Sequence, residues 1–287
     1  MIRVTCFLAL AFWIAFHPDA LAQAPPRWSF TKGQTYLAER TRTLDQEFTL
    51  GQKTHRQKQT SVWRVRLEVR DATAESAWLR ATFLNVEHTQ DPASDGVDPK
   101  LPARMQGASI SLRVTPVGDI RALQDHEAFL KQIAGGDPAR LTAYRILFSE
   151  AAMKEAFADL FGPLPPDRTK PGDAWTRERL APIPHLGILR ASIRHAWDGR
   201  KIAYATRTTF VPPPADMSAV FRVTDGKIVE EKSTGSIELN HNAATKFTHE
   251  AAGRVRGTVT LEMMKRTFEA TFASETRIHA TTRLERK

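Results

Sequence analysis

The stretch that decides the fold is residues 124–166, QDHEAFLKQIAGGDPARLTAYRILFSEAAMKEAFADLFGPLPP. Asp125 precedes a first apolar run, which a glycine pair ends. Asp137 then offers a helix N-cap with proline after it, and apolar residues recur from Leu141 to Leu160 at nearly the helical period until Gly162. This stretch therefore predicts a helical hairpin in a chain that otherwise alternates like strands.

Both flanks of the hairpin alternate apolar and polar residues, as half-buried antiparallel strands do. The clearest case is residues 63–70, where a tryptophan, a leucine and two valines alternate with three arginines and a glutamate. Turns are predicted at residues 51–58, 71–76, 116–119, 198–199 and 225–226. We predict a mainly β (α+β) fold: a strongly curved antiparallel sheet or half-barrel, built from two meander halves with a central helical hairpin.

The predicted organisation is a signal peptide at 1–22, an N-terminal β half at 23–123, a helical insert at 124–166 and a C-terminal β half at 167–287. We expect the two halves to share one core. The second half opens like the first, because Pro171–Trp175 is similar to Lys32–Tyr36. This similarity predicts an internal duplication. The alternative is two unrelated amphipathic meanders, since alternation is common.

The N-terminus has the form of a secretory signal. Arg3 precedes an apolar run over residues 6–16, and Ala20-Leu21-Ala22 has the small-x-small form of a cleavage site. A retained membrane anchor is the alternative, although the run is about half of the ~20 residues that span a bilayer. Cleavage after Ala22 would remove Cys6, the only cysteine, and would leave a chain without disulfides or a lipid anchor. We therefore expect a periplasmic or secreted protein.

The formal net charge of +9 favours anionic partners. The basic residues are spread along strand faces, and the aromatic residues alternate as core residues do, so nucleic acid is not the expected partner. One hypothesis is an envelope structural or interaction protein. It would bind anionic cell-surface polymer through outward-facing arginines, namely Arg64, Arg66, Arg190 and Arg194.

Motifs of catalysis and of metal or cofactor binding do not occur in the sequence. The nine histidines form no His-x-x-x-His pair, and there is no Gly-x-Ser-x-Gly elbow or phosphate-binding glycine loop. Glu230 and Glu231 are adjacent, so in a strand they point to opposite faces. We predict no cofactor, no metal and no catalytic residue. A hydrolase is the less favoured alternative, because it needs two close carboxylates or a histidine cluster.

An apolar ligand, such as a lipid or a lipoprotein acyl chain, could lie between the helices and the sheet. The predicted lining residues are Trp63, Val65, Leu67, Tyr144, Phe148, Met153 and Phe157. The alternative is that these side chains are ordinary core and fill the inner face of the sheet.

The strand openings at Lys32–Tyr36 and Pro171–Trp175, together with Phe161–Pro165 after a helix, resemble those of uncharacterised secreted bacterial families. The resemblance implies a signal peptide before a duplicated β-meander, in a domain of unknown function, and it implies no catalytic residue. A curved antiparallel sheet with helices on its concave side is also remotely similar to the periplasmic lipoprotein-carrier half-barrels. This chain is longer, and fold alone does not give function.

Overall fold

The structure is a computed structural model that describes residues 25–91, 98–162, 164–166, 169–183, 187–211, 222–239, 246–263 and 266–285. The predicted signal peptide, its cleavage site and Cys6 lie outside the described residues. In the part of the chain that is described, no helix is long and apolar enough to cross a membrane.

Eleven described strands form one antiparallel sheet. They are β1 (Thr35–Leu50), β2 (Lys53–Ala72), β3 (Ala77–Asp91), β4 (Ser109–Val114), β5 (Ile120–Gln124), β6 (Ala174–Ile183), β7 (Gly187–Trp197), β8 (Lys201–Val211), β9 (Arg222–Leu239), β10 (Lys246–Met263) and β11 (Arg266–Leu284). Their order is β5-β4-β3-β2-β1-β11-β10-β9-β8-β7-β6. The chain runs from the centre to one edge, restarts at the other edge and returns to pair β11 with β1. The predicted mainly β antiparallel fold is confirmed.

Four described helices are α1 (Leu101–Met105), α2 (His126–Ala134), α3 (Pro138–Leu147) and α4 (Glu150–Ala158). The predicted N-cap is correct, because the Asp137 side chain accepts hydrogen bonds from the backbone N–H groups of Ala139 and Arg140. The predicted second helix is divided, however. Phe148 leaves the helical conformation, and the Ser149 side chain caps α4. Apolar periodicity continues across this break and therefore conceals it. Helix α1 was also not predicted, because it lies in the expected loop.

The predicted hairpin at Asp225-Gly226 is wrong, since both residues lie inside β9. The strand pairing with β10 shifts register on both sides of this point, which marks bulges in a continuous strand. Gly226 has another role: a Cβ atom there would lie 2.2 Å from Cδ1 of Phe210. The glycine therefore makes room for an aromatic ring and does not form a turn.

Part of one face of the sheet, the inner face, is buried under the helices. On β2 the side chains of Val65, Leu67 and Val69 are at most 1% exposed, while the charged residues between them are on the other face. Phe83 of β3 packs against Phe129 of α2 and Phe157 of α4, with ring centroids 5.8 and 6.0 Å apart. The alternation predicted for residues 63–70 is confirmed.

The sheet curves around the helices, and its two edges approach one another. Arg177 of β6 forms an ion pair with Asp119, which directly precedes β5, and also donates to the carbonyl of Leu164 at 3.0 Å. No backbone pairing between β5 and β6 occurs within the described residues. The sheet is thus an unclosed barrel, joined at its opening by side chains.

Candidate functional site

Buried and partly buried polar side chains form a layer on the inner face where the helices end, called the polar layer below. It consists of Arg40, Arg42, Glu155, Asp159, Arg179, His195, Tyr204 and His249. At its centre Nε of Arg40 lies 2.8 Å from Oδ2 of Asp159, and each side chain is only 3% exposed. Arg179 reaches the other oxygen of Asp159 at 3.6 Å and also pairs with Glu155. The residue that follows α4 therefore joins strands from opposite halves of the sheet.

The charge on Asp159 depends on these two arginines. Burial alone would raise the pKa of Asp159, but the positive charges of Arg40 and Arg179 outweigh this effect and hold the pKa below its usual value. Burial raises the pKa of Glu155, although Arg179 opposes the shift. Asp159 is therefore the permanent negative charge of the layer, and Glu155 is the weaker acid.

His249, Tyr204 and His195 continue the layer across β10, β8 and β7, and Trp175 of β6 lies next to His195. The hydroxyl of Tyr204 lies 2.8 Å from Nε2 of His249, whose Nδ1 lies 3.4 Å from the carbonyl oxygen of Asp159. A carbonyl can only accept, so Nδ1 carries the proton and Nε2 accepts from Tyr204. Burial lowers the pKa of His249 and lowers that of His195 to about 4. Both rings are therefore neutral at neutral pH.

Unpaired donors are a second property of this layer. Nε of Arg42 and Nε1 of Trp175 are buried, and each lacks a hydrogen-bond partner within the described chain. The Trp175 ring stacks on His195 at 5.1 Å. Buried donors of this kind normally have partners. These free N–H groups can therefore donate hydrogen bonds to acceptor atoms of a ligand.

Beyond the polar layer the inner face continues without helical cover. Its apolar side chains there are Leu44, Ile193, Val255 and Ile278, and we call this surface the lower lumen. All four are partly exposed, and none belongs to either packed apolar cluster of the described residues. Small neighbours on the same face include Ala251 and Gly253. Between them the same face carries Thr276, Ser274, Ser233, Thr206 and Glu231. The lower lumen is therefore a mixed surface of partly exposed apolar side chains and polar ones, inside the curved sheet.

An apolar cluster lies at the far end of the strands, beyond the lower lumen. Val259 and Ala270 are 1% exposed there, covered by the partly buried side chains of Phe48, Leu50, Phe210, Phe268 and Phe272. Glycines make this packing possible, because a Cβ atom on Gly257 would lie 2.6 Å from the ring of Phe272. The lower lumen is therefore bounded by polar groups at one end and aromatic rings at the other.

The structure places the seven sequence-predicted ligand residues under or in the helices. Trp63, Val65, Leu67, Tyr144, Met153 and Phe157 are at most 9% exposed, and Phe148 is half-buried. Trp63 and Phe157 are in contact, with ring centroids 6.1 Å apart, as are Tyr144 and Phe148 at 5.7 Å. They pack as core, which agrees with the alternative stated above, and their role in ligand binding stays a prediction.

The polar layer was missed from sequence, although one signal for it exists. The inner-face positions of β1 run Tyr36, Ala38, Arg40, Arg42 and Leu44. Two arginines thus occupy positions where the alternating pattern predicts apolar side chains. Such residues indicate a buried polar site, whereas arginines in the opposite phase indicate a solvated face.

The outer-face arginines divide into two groups. Arg64 and Arg66 have carboxylate partners, Glu39 at 3.0 Å and Glu285 at 4.0 Å. Arg190 and Arg194 are exposed, and neither forms an ion pair within the described ranges. Binding of an anionic polymer by these arginines stays a prediction. Glu230 and Glu231 lie on opposite faces as predicted, with Glu230 near Arg256 and Glu231 bonded to Thr208.

No family model matches this chain, and no curated protein matches it. Among solved structures, the chain is similar to one of lipid–protein interactions in lipovitellin, with 11% identity and a TM-score of 0.39 over 90% of this chain. The match spans 26% of the lipovitellin chain. A mutant porin of Rh. blastica gives 6% identity and a TM-score of 0.22, covering 85% of this chain and 99% of the porin. These distant likenesses carry no inference about function. Among the described residues, no group of three or more side chains could hold a metal ion.

Proposed function

We propose that this protein binds an apolar chain, such as that of a lipid or a lipoprotein, along its lower lumen and without catalysis. The observation that carries this proposal is the set of four partly exposed apolar side chains on the inner face, outside both packed clusters. Apolar surface inside a concave sheet is the usual lining of a ligand site. We further propose a periplasmic or secreted location.

The energetics of such a site favour a long acyl chain. Each buried methylene contributes about 0.8 kcal/mol, so even a partly enclosed chain can offset the cost of association. The glycine at 253 has only ordinary contacts around a would-be Cβ atom, which leaves space next to Val255. A ligand bound there would cover the side chains that the protein leaves exposed.

The lower lumen is a better location for the chain than the helix-covered residues. Binding at Trp63 or Phe157 would require the helices to leave the sheet, and the buried Arg40–Asp159 ion pair opposes this movement. The lower lumen needs no such rearrangement.

The test is a titration of the protein with oleate, followed by calorimetry below the critical micelle concentration. Ile278→Asp places a charge in the lower lumen, and we expect it to weaken oleate binding by at least about tenfold. The matched control is Val229→Asp, because Val229 is 64% exposed at a bulge of β9 and lies beside the outer-face residues Glu230, Arg254 and Arg256. Equal affinities for both variants would contradict the proposed site.

A further inference from the structure

Arg42 differs from the other two arginines of the polar layer. Arg40 and Arg179 both pair with Asp159, and Arg179 also pairs with Glu155. The Arg42 side chain forms no hydrogen bond and no ion pair with the described residues, and its Nε atom is buried. Its guanidinium is thus free to bind a ligand.

The position of Arg42 directs this free group toward the lower lumen. Arg42 lies on the inner face of β1 between Arg40 and Leu44, and opposite Ile278 of β11. Leu44 and Ile278 are both lining residues of the lower lumen. A chain that lies along these two side chains would therefore end next to the guanidinium.

The charge around Arg42 is unbalanced. The layer contains three guanidinium groups and two carboxyls, and burial raises the pKa of one of these, Glu155. Burial and the like charges of Arg40 and Arg179 lower the pKa of Arg42 although the negative charge of Asp159 opposes the shift, and Arg42 remains a cation. An unpaired, partly desolvated cation costs folding free energy. An anion bound beside it would remove this cost.

We propose that Arg42 binds the anionic head group, a carboxylate or a phosphate, of an amphiphile whose acyl chain lies along the lower lumen. This inference rests on the proposed function and adds the chemical class of the ligand. The guanidinium fork matches both carboxylate and phosphate oxygens. Trp175 lies in the same row of the sheet but six strands from Arg42, so the head-group site rests on Arg42 alone.

The experiment compares oleate with oleyl alcohol, which has the same chain and a neutral head, for the parent protein, Arg42→Gln and Arg42→Lys. We expect the parent to bind oleate at least about tenfold more tightly than oleyl alcohol. Arg42→Gln should remove this preference by weakening oleate alone, and Arg42→Lys should keep most of it. Because Arg42 has like-charged neighbours and no partner, the Tm of Arg42→Gln should equal or exceed that of the parent.

Three results would overturn the inference. The first is an unchanged oleate preference in Arg42→Gln, and the second is an equal loss of both ligands with a lowered Tm, which would assign Arg42 a structural role. The third is Arg42-dependent binding of inorganic phosphate that oleate does not displace, which would indicate a site for a free anion. If the parent binds neither amphiphile, the proposed function itself fails. If it binds both equally, only the head-group site fails.

Discussion

At the scale of single residues, the inner face combines two kinds of buried charge. In the Arg40–Asp159 pair each charge has a partner at hydrogen-bond distance. Arg40 also lies over the ring of Trp63, with 5.2 Å between its guanidinium carbon and the ring centroid. Arg42 is next to this pair and is unsatisfied. The first arrangement fixes the end of the helical segment on the sheet. In the second, the side chain of Arg42 has no hydrogen-bond or ion-pair partner among the described residues, which is why we propose that it binds a ligand.

Removing the charge of Asp159 tests the structural half of this distinction. Asp159→Asn leaves Arg40 buried without an anion and removes one of the two carboxylates that Arg179 contacts, so we expect the free energy of unfolding to fall by about 3 kcal/mol. The control is Glu39→Gln, which breaks the exposed pair with Arg64 and should cost less than about 1 kcal/mol. Urea denaturation measures both values, and similar losses would contradict the structural role of the buried pair.

At the scale of elements, glycines within the long strands let aromatic side chains lie across the inner face. A Cβ atom on Gly235 of β9 would lie 1.8 Å from Cζ of Tyr204 on β8, whose hydroxyl bonds His249. The neighbouring Gly253 of β10 has Cβ contacts no closer than 3.8 Å, with Ser233. The two glycines therefore differ in what they allow, although they lie on adjacent strands.

Substituting each glycine by alanine should distinguish the effect of the close contact between Gly235 and Tyr204 from the general effect of replacing a glycine in a strand. We expect Gly235→Ala to lower the free energy of unfolding by about 1–3 kcal/mol, because Tyr204 must move and lose His249. Gly253→Ala should be neutral or slightly stabilising. Thermal unfolding of both variants, alone and with Tyr204→Ala, provides the measurement. The cost of Gly235→Ala should largely disappear once the tyrosine is absent, and its persistence would refute this explanation.

Local sequence signals predicted the elements that local chemistry determines. The N-cap at Asp137 and the alternation of β2 depend on neighbouring residues, and both are confirmed. The break at Ser149 was missed because apolar periodicity continues across it. The turn predicted at Gly226 was wrong, because the glycine is there to leave room for the ring of Phe210, a residue distant in sequence. A residue whose role depends on contacts with residues distant in sequence cannot be interpreted from its sequence neighbours alone.

At the scale of the whole molecule, the site depends on an arrangement that no local pattern encodes. Arg40 and Arg179 are 139 positions apart, and they meet at Asp159 because β11 returns to pair with β1 while β6 lies at the opposite edge. The sequence predicted two meander halves and a curved sheet. It could not predict how the edges approach, nor that the helices stop short and leave the lower lumen uncovered. The duplication of the halves stays a prediction.

The central claim is that the lower lumen holds an apolar chain, and native mass spectrometry of the full chain tests it most directly. The protein would be purified without detergent from a host with intact membranes, together with the Ile278→Asp and Val229→Asp variants. We predict a reproducible additional mass that organic solvent extracts, present in the parent and in Val229→Asp and absent from Ile278→Asp. A parent protein with only its own mass, or an additional mass retained by Ile278→Asp, would contradict the account.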